Sequence, residues 1–281
     1  MTLSLTQRAI VLSVVLLFLF GAIWALAVQS GGSSGVPEGM NPEYAELLGK
    51  TAKGGSAMPG PLDVVDQIWD HVLNPFYIEG PNDKGIGIQL GYSIARVLIG
   101  FALAVVIAVP LGFLIGMSPL AYRALNPFIQ IMKPVSPLAW MPLALYTIED
   151  STMSSVFVIF ICSIWPMMIN TAFGVGAVRS EWMNVARTLE VGRMRTAFKV
   201  ILPAAAPTIM TGMRISIGIA WLVIVAAEML VGGTGIGYFV WNEWNNLSIT
   251  NVIASIFFIG LMGMILDQIL AGFTKLVTYQ E

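Results

Sequence analysis

The sequence predicts an all-α integral membrane protein with six transmembrane helices. Of its 281 residues, 57% are hydrophobic and only 11% are charged, whereas about a quarter of the residues in an ordinary soluble domain carry a charge. The few charges also leave several uncharged stretches of about 20 residues, which is the length that a helix needs to cross the hydrocarbon core of a bilayer.

Four uncharged stretches predict membrane spans directly: residues 9–28, 97–117, 151–178 and 244–266. Two further apolar stretches contain one cation each, Lys133 within residues 124–148 and Arg214 within residues 200–227. Together these six stretches define the predicted transmembrane helices.

The first span, residues 9–28, is open to two interpretations. Arg8 precedes it and Ala25-Leu26-Ala27 fits the small-residue cleavage site of a secretory signal peptide. However, the apolar run is longer than the core of roughly 7–15 residues in such signals. This length favours a retained N-terminal transmembrane helix at residues 1–28.

The basic residues near the span ends predict the orientation, because cytoplasmic loops carry an excess of Lys and Arg. With both termini in the cytoplasm, only Lys50, Lys53 and Lys84 lie outside. The cytoplasmic set is then Arg8, Arg123, Arg179, Arg187, Arg193, Arg195, Lys199 and Lys275.

The segment at residues 29–88 is predicted to lie outside the membrane on the extracytoplasmic side. It begins with a flexible Gly/Ser linker at residues 31–35. Residues 61–76 then predict an amphipathic helix lying in the membrane interface, with Pro61 in its first turn. One face of this helix is apolar and the other carries Asp63, Asp66, Asp70 and His71. The single histidine is therefore expected at the surface.

Residues 124–148 cannot form one regular helix, because they contain Pro127, Pro134, Pro137 and Pro142. Broken backbone at membrane depth is tolerated where protein or a watery cavity satisfies the freed polar groups. This stretch is therefore expected to face the interior of a bundle. A structural kink without a role in a transport pathway is the alternative.

The segment at residues 179–203 mixes basic and apolar residues, and it resembles the coupling loop of permease subunits of bacterial ATP-binding-cassette (ABC) importers. That loop reads Glu-Ala-Ala, three residues, Gly, nine residues, then Ile-x-Leu-Pro. The present sequence departs from it at Asn184, which replaces the acid, and at Glu190, which replaces the glycine, so the turn is expected to be set differently. The resemblance implies a helix that contacts an ATPase subunit through Asn184, Val185, Ala186, Arg187, Glu190, Gly192, Leu202 and Pro203.

A wider resemblance, over about residues 59–270, identifies the branch of these permeases that serves nitrate and nitrite, bicarbonate, and taurine or sulfonates. It is carried by residues 133–143 (KPVSPLAWMPL), 157–170 (FVIFICSIWPMMIN) and 221–244 (WLVIVAAEMLVGGTGIGYFVWNEW). Within the branch, the sequence is most similar to the nitrate and bicarbonate members. The resemblance thus implies a nitrate or nitrite importer first, and a bicarbonate or sulfonate importer as the alternative.

The resemblance also implies the architecture and the partners. Residues 89–281 would form the transmembrane domain of a type I ABC importer permease in the bacterial inner membrane. Two ATP-binding cassette subunits would hold ATP and Mg, and a periplasmic or lipid-anchored substrate-binding protein and a second permease copy would complete the complex. The chain itself is expected to be no enzyme, with no catalytic residue, cofactor, metal or nucleic-acid partner. A stand-alone secondary transporter or channel is the alternative class, although the sequence lacks a convincing internal repeat.

Charged residues inside the membrane are candidates for function, since each costs at least about 2.5 kcal/mol at the bilayer centre. Arg214 and Lys133 are the candidate residues of the substrate path, because a cation attracts an anion and the guanidinium fork suits a planar oxyanion. Arg96, nearer a span edge, is expected to reach the interface. Glu228 would repel an anion, so we assign it a structural or gating role.

Overall fold

The computed structural model describes residues 4–30, 58–80 and 83–277, and these residues are almost entirely helical. Within them, the extended structure is limited to an isolated antiparallel bridge between Ile78 and Lys84. The predicted linker at residues 31–35 lies outside the described residues. The helices are α1 (Leu5–Ser30), α2 (Pro61–Leu73), α3 (Ile86–Met117), α4 (Pro119–Met132), α5 (Pro137–Ile148), α6 (Ser151–Gly176), α7 (Ser180–Thr188), α8 (Arg193–Val231), α9 (Ile236–Asn245) and α10 (Ile249–Val277).

Five of the described helices are long and apolar enough to cross a membrane: α1, α3, α6, α8 and α10. The remaining predicted span, residues 124–148, is divided between α4 and α5, as its prolines predict. Pro134 lies in the break at residues 133–136, and Pro137 begins α5. Pro127 and Pro142 are accommodated inside the two helices. The break therefore follows from the closely spaced Pro134 and Pro137.

The chain divides into two compact units, and the larger takes in Phe76–Phe239 and Phe258–Glu281. Its core is formed by α6, which packs against α3 on one side and α8 on the other. The helix axes approach closely at glycines, because a Cβ atom added at Gly112 would lie 2.6 Å from the carbonyl oxygen of Met168. Ser216 of α8 also donates a hydrogen bond to the carbonyl oxygen of Ser163 in α6, at 2.8 Å.

The smaller unit takes in Met1–Pro75 and Val240–Phe257. Helix α1 exposes nearly all its apolar side chains, as a helix surrounded by lipid does. Helix α2 is amphipathic, and its apolar face is the exposed one, with Leu62, Val65, Trp69, Val72 and Leu73. An apolar face that meets no protein suits the predicted position in the membrane interface.

The expectation of a surface histidine is wrong. His71 is buried with only 6% of its area exposed, and its Nε2 atom lies 3.0 Å from Oδ1 of Asn251. Asn251 in turn donates a hydrogen bond to the carboxylate of Glu243 at 2.7 Å. The side of α2 that carries Val64 and His71 therefore faces protein, and polar pairing compensates for the burial of the imidazole.

Candidate functional site

A buried ion pair joins α3 to the end of α8. Nη1 of Arg96 donates a hydrogen bond to Oε1 of Glu228 at 2.7 Å, and a second to the carbonyl oxygen of Thr234, also at 2.7 Å. Ser93 donates to the same carboxylate at 2.8 Å. Glu228 is 1% exposed and Arg96 is 8% exposed. Contrary to the prediction, Arg96 is therefore buried in an ion pair and does not extend to the membrane interface. The basic partner that was expected for Glu228 is present, and it is Arg96.

The same cluster holds the beginning of α9 through three backbone amides. Gly235 donates to Oε1 of Gln89 at 2.7 Å, Ile236 donates to Oγ of Ser93 at 2.9 Å, and Gly237 donates to Oε2 of Glu228 at 3.0 Å. The first amides of a helix lack intrahelical partners, and here side chains of α3 and α8 supply them. We call these side chains, with Arg96, the Arg96–Glu228 network.

The network leaves no room for a side chain at Gly235, because a Cβ atom there would collide with the carboxylate of Glu228. Gly232 and Gly233, just before it, have positive φ angles of 78° and 92°, which glycine adopts at little cost. The glycines of residues 232–237 thus form a tight turn fixed by buried polar contacts.

The predicted path residue Arg214 lies in α8 and is paired with Asp267 of α10. Its Nε and Nη2 atoms donate to the two carboxylate oxygens at 3.0 and 2.6 Å, a bidentate arrangement that is among the stronger hydrogen-bonded ion pairs. Both side chains are partly exposed, at 39% and 47%. An anion would therefore compete with Asp267 for this guanidinium.

The other predicted path residue, Lys133, lies at the break between α4 and α5. It lines an open cavity of about 580 Å³ between α3, α4 and α6, and a second cavity of about 220 Å³ beside Cys162 and Trp165 of α6. Among the described residues, Lys133 has no carboxylate partner. Its charge is thus available to a small anion in either cavity.

The predicted coupling segment forms α7, a turn and the first residues of α8. Asn184, Val185, Ala186 and Arg187 lie on α7; Ala186 is buried, while Val185 is exposed. Further apolar side chains at Leu189, Met194 and Phe198 are also exposed, and Leu202 and Pro203 follow a π-helical turn at Ala197–Ile201. The segment therefore combines one buried position, Ala186, with a set of exposed apolar side chains.

The turn after α7 places Glu190 in the left-handed conformation, with φ of 49°. The amide of Glu190 donates to the carbonyl of Arg187, and the amide of Val191 donates to that of Ala186, both at 3.0 Å. This pattern is a Schellman motif, in which glycine is favoured at the left-handed position. Gly192 has an ordinary φ of −57°, so it does not take over the left-handed position. That position is occupied by Glu190, the residue that replaces the glycine of the coupling-loop pattern.

The structure brings the predicted residues together only in part. Glu228 gains Arg96, a residue expected elsewhere, and Arg214 gains Asp267. Among the described residues, Lys133 belongs to neither ion pair. Gln89 and Ser93 were missed by sequence reasoning, since a polar residue in an apolar helix carries no sign of its partner; their four-residue spacing on one helix face is the only available signal.

A bundle of membrane-length helices with paired intramembrane charges and an exposed helix–turn–helix segment defines a polytopic membrane transport protein. The sequence pattern of the family of binding-protein-dependent transport system inner membrane components matches residues 108–278. The chain belongs to this family.

The relatives include nitrate and bicarbonate permeases. The chain is 44% identical over 227 residues to a nitrate import permease of Synechocystis sp., covering 81% of this chain and 82% of the relative. It is 40% identical over 207 residues to a bicarbonate transport system permease of the same organism, covering 73% and 74%.

The fold is also that of solved ABC transporters. The inward-facing MetNI methionine transporter superimposes with a TM-score of 0.60 at 15% identity, covering 68% of this chain and 95% of that chain. At this identity the comparison shows the fold alone, and it agrees with the type I importer permease fold expected from the sequence.

Proposed function

We propose that the chain is the permease subunit of an ATP-driven importer of nitrate or nitrite. The observation that carries this proposal is the 44% identity to a nitrate import permease over 81% of the chain. Two further nitrate import permeases are 44% and 40% identical. The bicarbonate permeases, at 38–40% identity, make bicarbonate the second candidate substrate.

The proposed complex contains two ATP-binding cassette subunits, which bind ATP and Mg, and a second copy of the permease. A periplasmic or lipid-anchored binding protein delivers the anion, and both termini of the permease lie in the cytoplasm. The exposed apolar side chains of the coupling segment support this proposal, since Val185, Leu189, Met194 and Phe198 offer a docking surface. Ala186, on the same helix, is buried.

We place Lys133 and Arg214 on the proposed anion path, with Lys133 as the stronger candidate. Lys133 lines two cavities and has no carboxylate partner in the described part of the chain. Arg214 is already neutralised by Asp267, so it can serve an anion only when that pair opens. Nitrate and bicarbonate are both planar, singly charged oxyanions, and either one fits this chemistry.

The test is uptake of labelled nitrate and of labelled bicarbonate into vesicles that contain the reconstituted complex, with binding protein and ATP. We expect nitrate uptake by the native complex and at least a fivefold loss in Lys133→Gln. Lys275→Gln, which removes an exposed cation outside both cavities, is the control. Uptake of bicarbonate alone would overturn the ranking of substrates, and uptake without ATP would favour a secondary transporter or channel.

Arg214 needs a separate set of variants, because loss of uptake in Arg214→Gln can also follow from loss of the ion pair with Asp267. If Arg214 serves the anion, Arg214→Gln loses nitrate uptake in an assembled complex, Arg214→Lys keeps part of it, and Asp267→Asn does not lose it. If the pair only joins α8 to α10, both neutral variants impair assembly and the double variant Arg214→Gln/Asp267→Asn regains it.

A further inference from the structure

The polar side chains of α4 follow one face of the helix. Arg123, Asn126, Gln130 and Lys133 are spaced by three, four and three residues, which places them on a single stripe. All four line the cavity of about 580 Å³. The apolar side chains Leu120, Phe128 and Ile131 lie on another face of the helix and are exposed, as are Arg123, Gln130 and Lys133. Helix α4 therefore turns its polar stripe toward the cavity and an apolar face away from it.

The buried residue of α4 is Ile129, which belongs to the apolar core and also lines the cavity. The cavity therefore combines an apolar wall from α3 and α6 with the polar stripe of α4. The lining residues carry two cations, Arg123 and Lys133, and no carboxylate. Their separation of ten positions corresponds to about 15 Å along the helix. The cavity thus has a positive potential along its length.

We propose that Arg123 and Lys133 form two successive binding stations for a small, singly charged oxyanion on the polar stripe of α4. The assignment of the anion as transported substrate rests on the proposed function, but the anion selectivity of the cavity does not. Arg123, near the start of α4, is the station at the predicted cytoplasmic end. Asn126 and Gln130 offer amide donors between the two stations.

An anionic lipid headgroup shares the oxyanion chemistry, but the structure favours a small solute. A headgroup anchored at the membrane surface would reach the station of Arg123, whereas the stripe continues to Lys133. Lys133 also lines the second cavity, beside Cys162 and Trp165. The two cations therefore extend past the depth of a single surface site.

A reporter thiol on the stripe tests the proposal through charge selectivity. Gln130→Cys is introduced in a Cys162→Ser background of the full complex, in vesicles that expose the cytoplasmic side. Modification by an anionic and by a cationic methanethiosulfonate of similar size is then followed at residue 130 by mass spectrometry. Two cations within about 10 Å of the reporter should make the anionic reagent react faster, by on the order of fivefold after correction for reactivity with a free thiol.

The selectivity should fall several-fold when either Arg123→Gln or Lys133→Gln is added, and Arg123→Lys should retain it. Arg8→Gln, which removes an exposed arginine outside the cavity, is the matched control. Nitrate should slow the anionic reagent. A ratio near one, or a ratio unchanged by Arg123→Gln, would overturn the proposal.

The lipid alternative is separated by composition, in vesicles of phosphatidylcholine with and without phosphatidylglycerol. Protection of the thiol only when the anionic lipid is present, with no effect of nitrate, would overturn the assignment of a small solute. The two proposals are tested by different measurements: nitrate uptake tests the proposed function, and the ratio of thiol modification rates tests the anion selectivity of the cavity. A complex that fails to import nitrate can still be measured for that ratio.

Discussion

The buried ion pair between Arg96 and Glu228 provides a quantitative prediction, because one partner can be removed without removing the other. In Arg96→Gln, Glu228 would keep hydrogen bonds from Ser93 and from the amide of Gly237 but would lose its cation while 1% exposed. Leaving one member of a buried pair unpaired costs about 3–5 kcal/mol. At about 2–4 °C per kcal/mol for a domain of 150–250 residues, the unfolding midpoint should fall by roughly 10 °C.

The measurement is the fraction of purified complex that stays monodisperse after heating in detergent, for Arg96→Gln and for the double variant Arg96→Gln/Glu228→Gln. The double variant removes the uncompensated charge and keeps side chains that can form hydrogen bonds, so it should recover much of the loss. Arg179→Gln, which changes an arginine packed on Trp182 at the surface, is the control. A midpoint within about 2 °C of the native value in Arg96→Gln would refute the reasoning.

Three further predictions concern the coupling segment and the orientation. Ala186→Asp should abolish transport and ATPase binding while the permease stays in the membrane, because an unpaired charge at this buried position costs several kcal/mol; normal co-purification and uptake would contradict it. Glu190→Gly should stabilise the turn by about 1 kcal/mol, because glycine adopts the left-handed conformation without the penalty of a side chain, and a lowered thermal midpoint would count against the Schellman turn. Single cysteines at Ser56 and Ser180, in a Cys162→Ser background, should react with an impermeant label from opposite sides, and labelling from the same side would reject the proposed topology.

Much of the fold can be predicted from the sequence, because a membrane-spanning helix is identified by the hydrophobicity of a short, continuous stretch of residues. A stretch of about 20 apolar residues must form a helix to satisfy its own backbone in lipid, which explains why five predicted spans appear as long helices. The broken span follows from Pro134 and Pro137. A helix in the segment around Glu190 was likewise expected from the coupling-loop resemblance, although the conformation of Glu190 itself was not.

The sequence by itself therefore determined the class of protein, its helices and the residues whose charge is costly in a membrane. Only the tertiary structure decided which charges meet, because Arg96 and Glu228 are 132 residues apart and Arg214 and Asp267 are 53 apart. His71 is buried for the same reason, through a contact with a residue 180 positions away. The local sequence identifies a charged residue within an apolar stretch, where burial of the charge is unfavourable. The partner of that residue depends on how the helices pack, and no local sequence pattern predicts that packing.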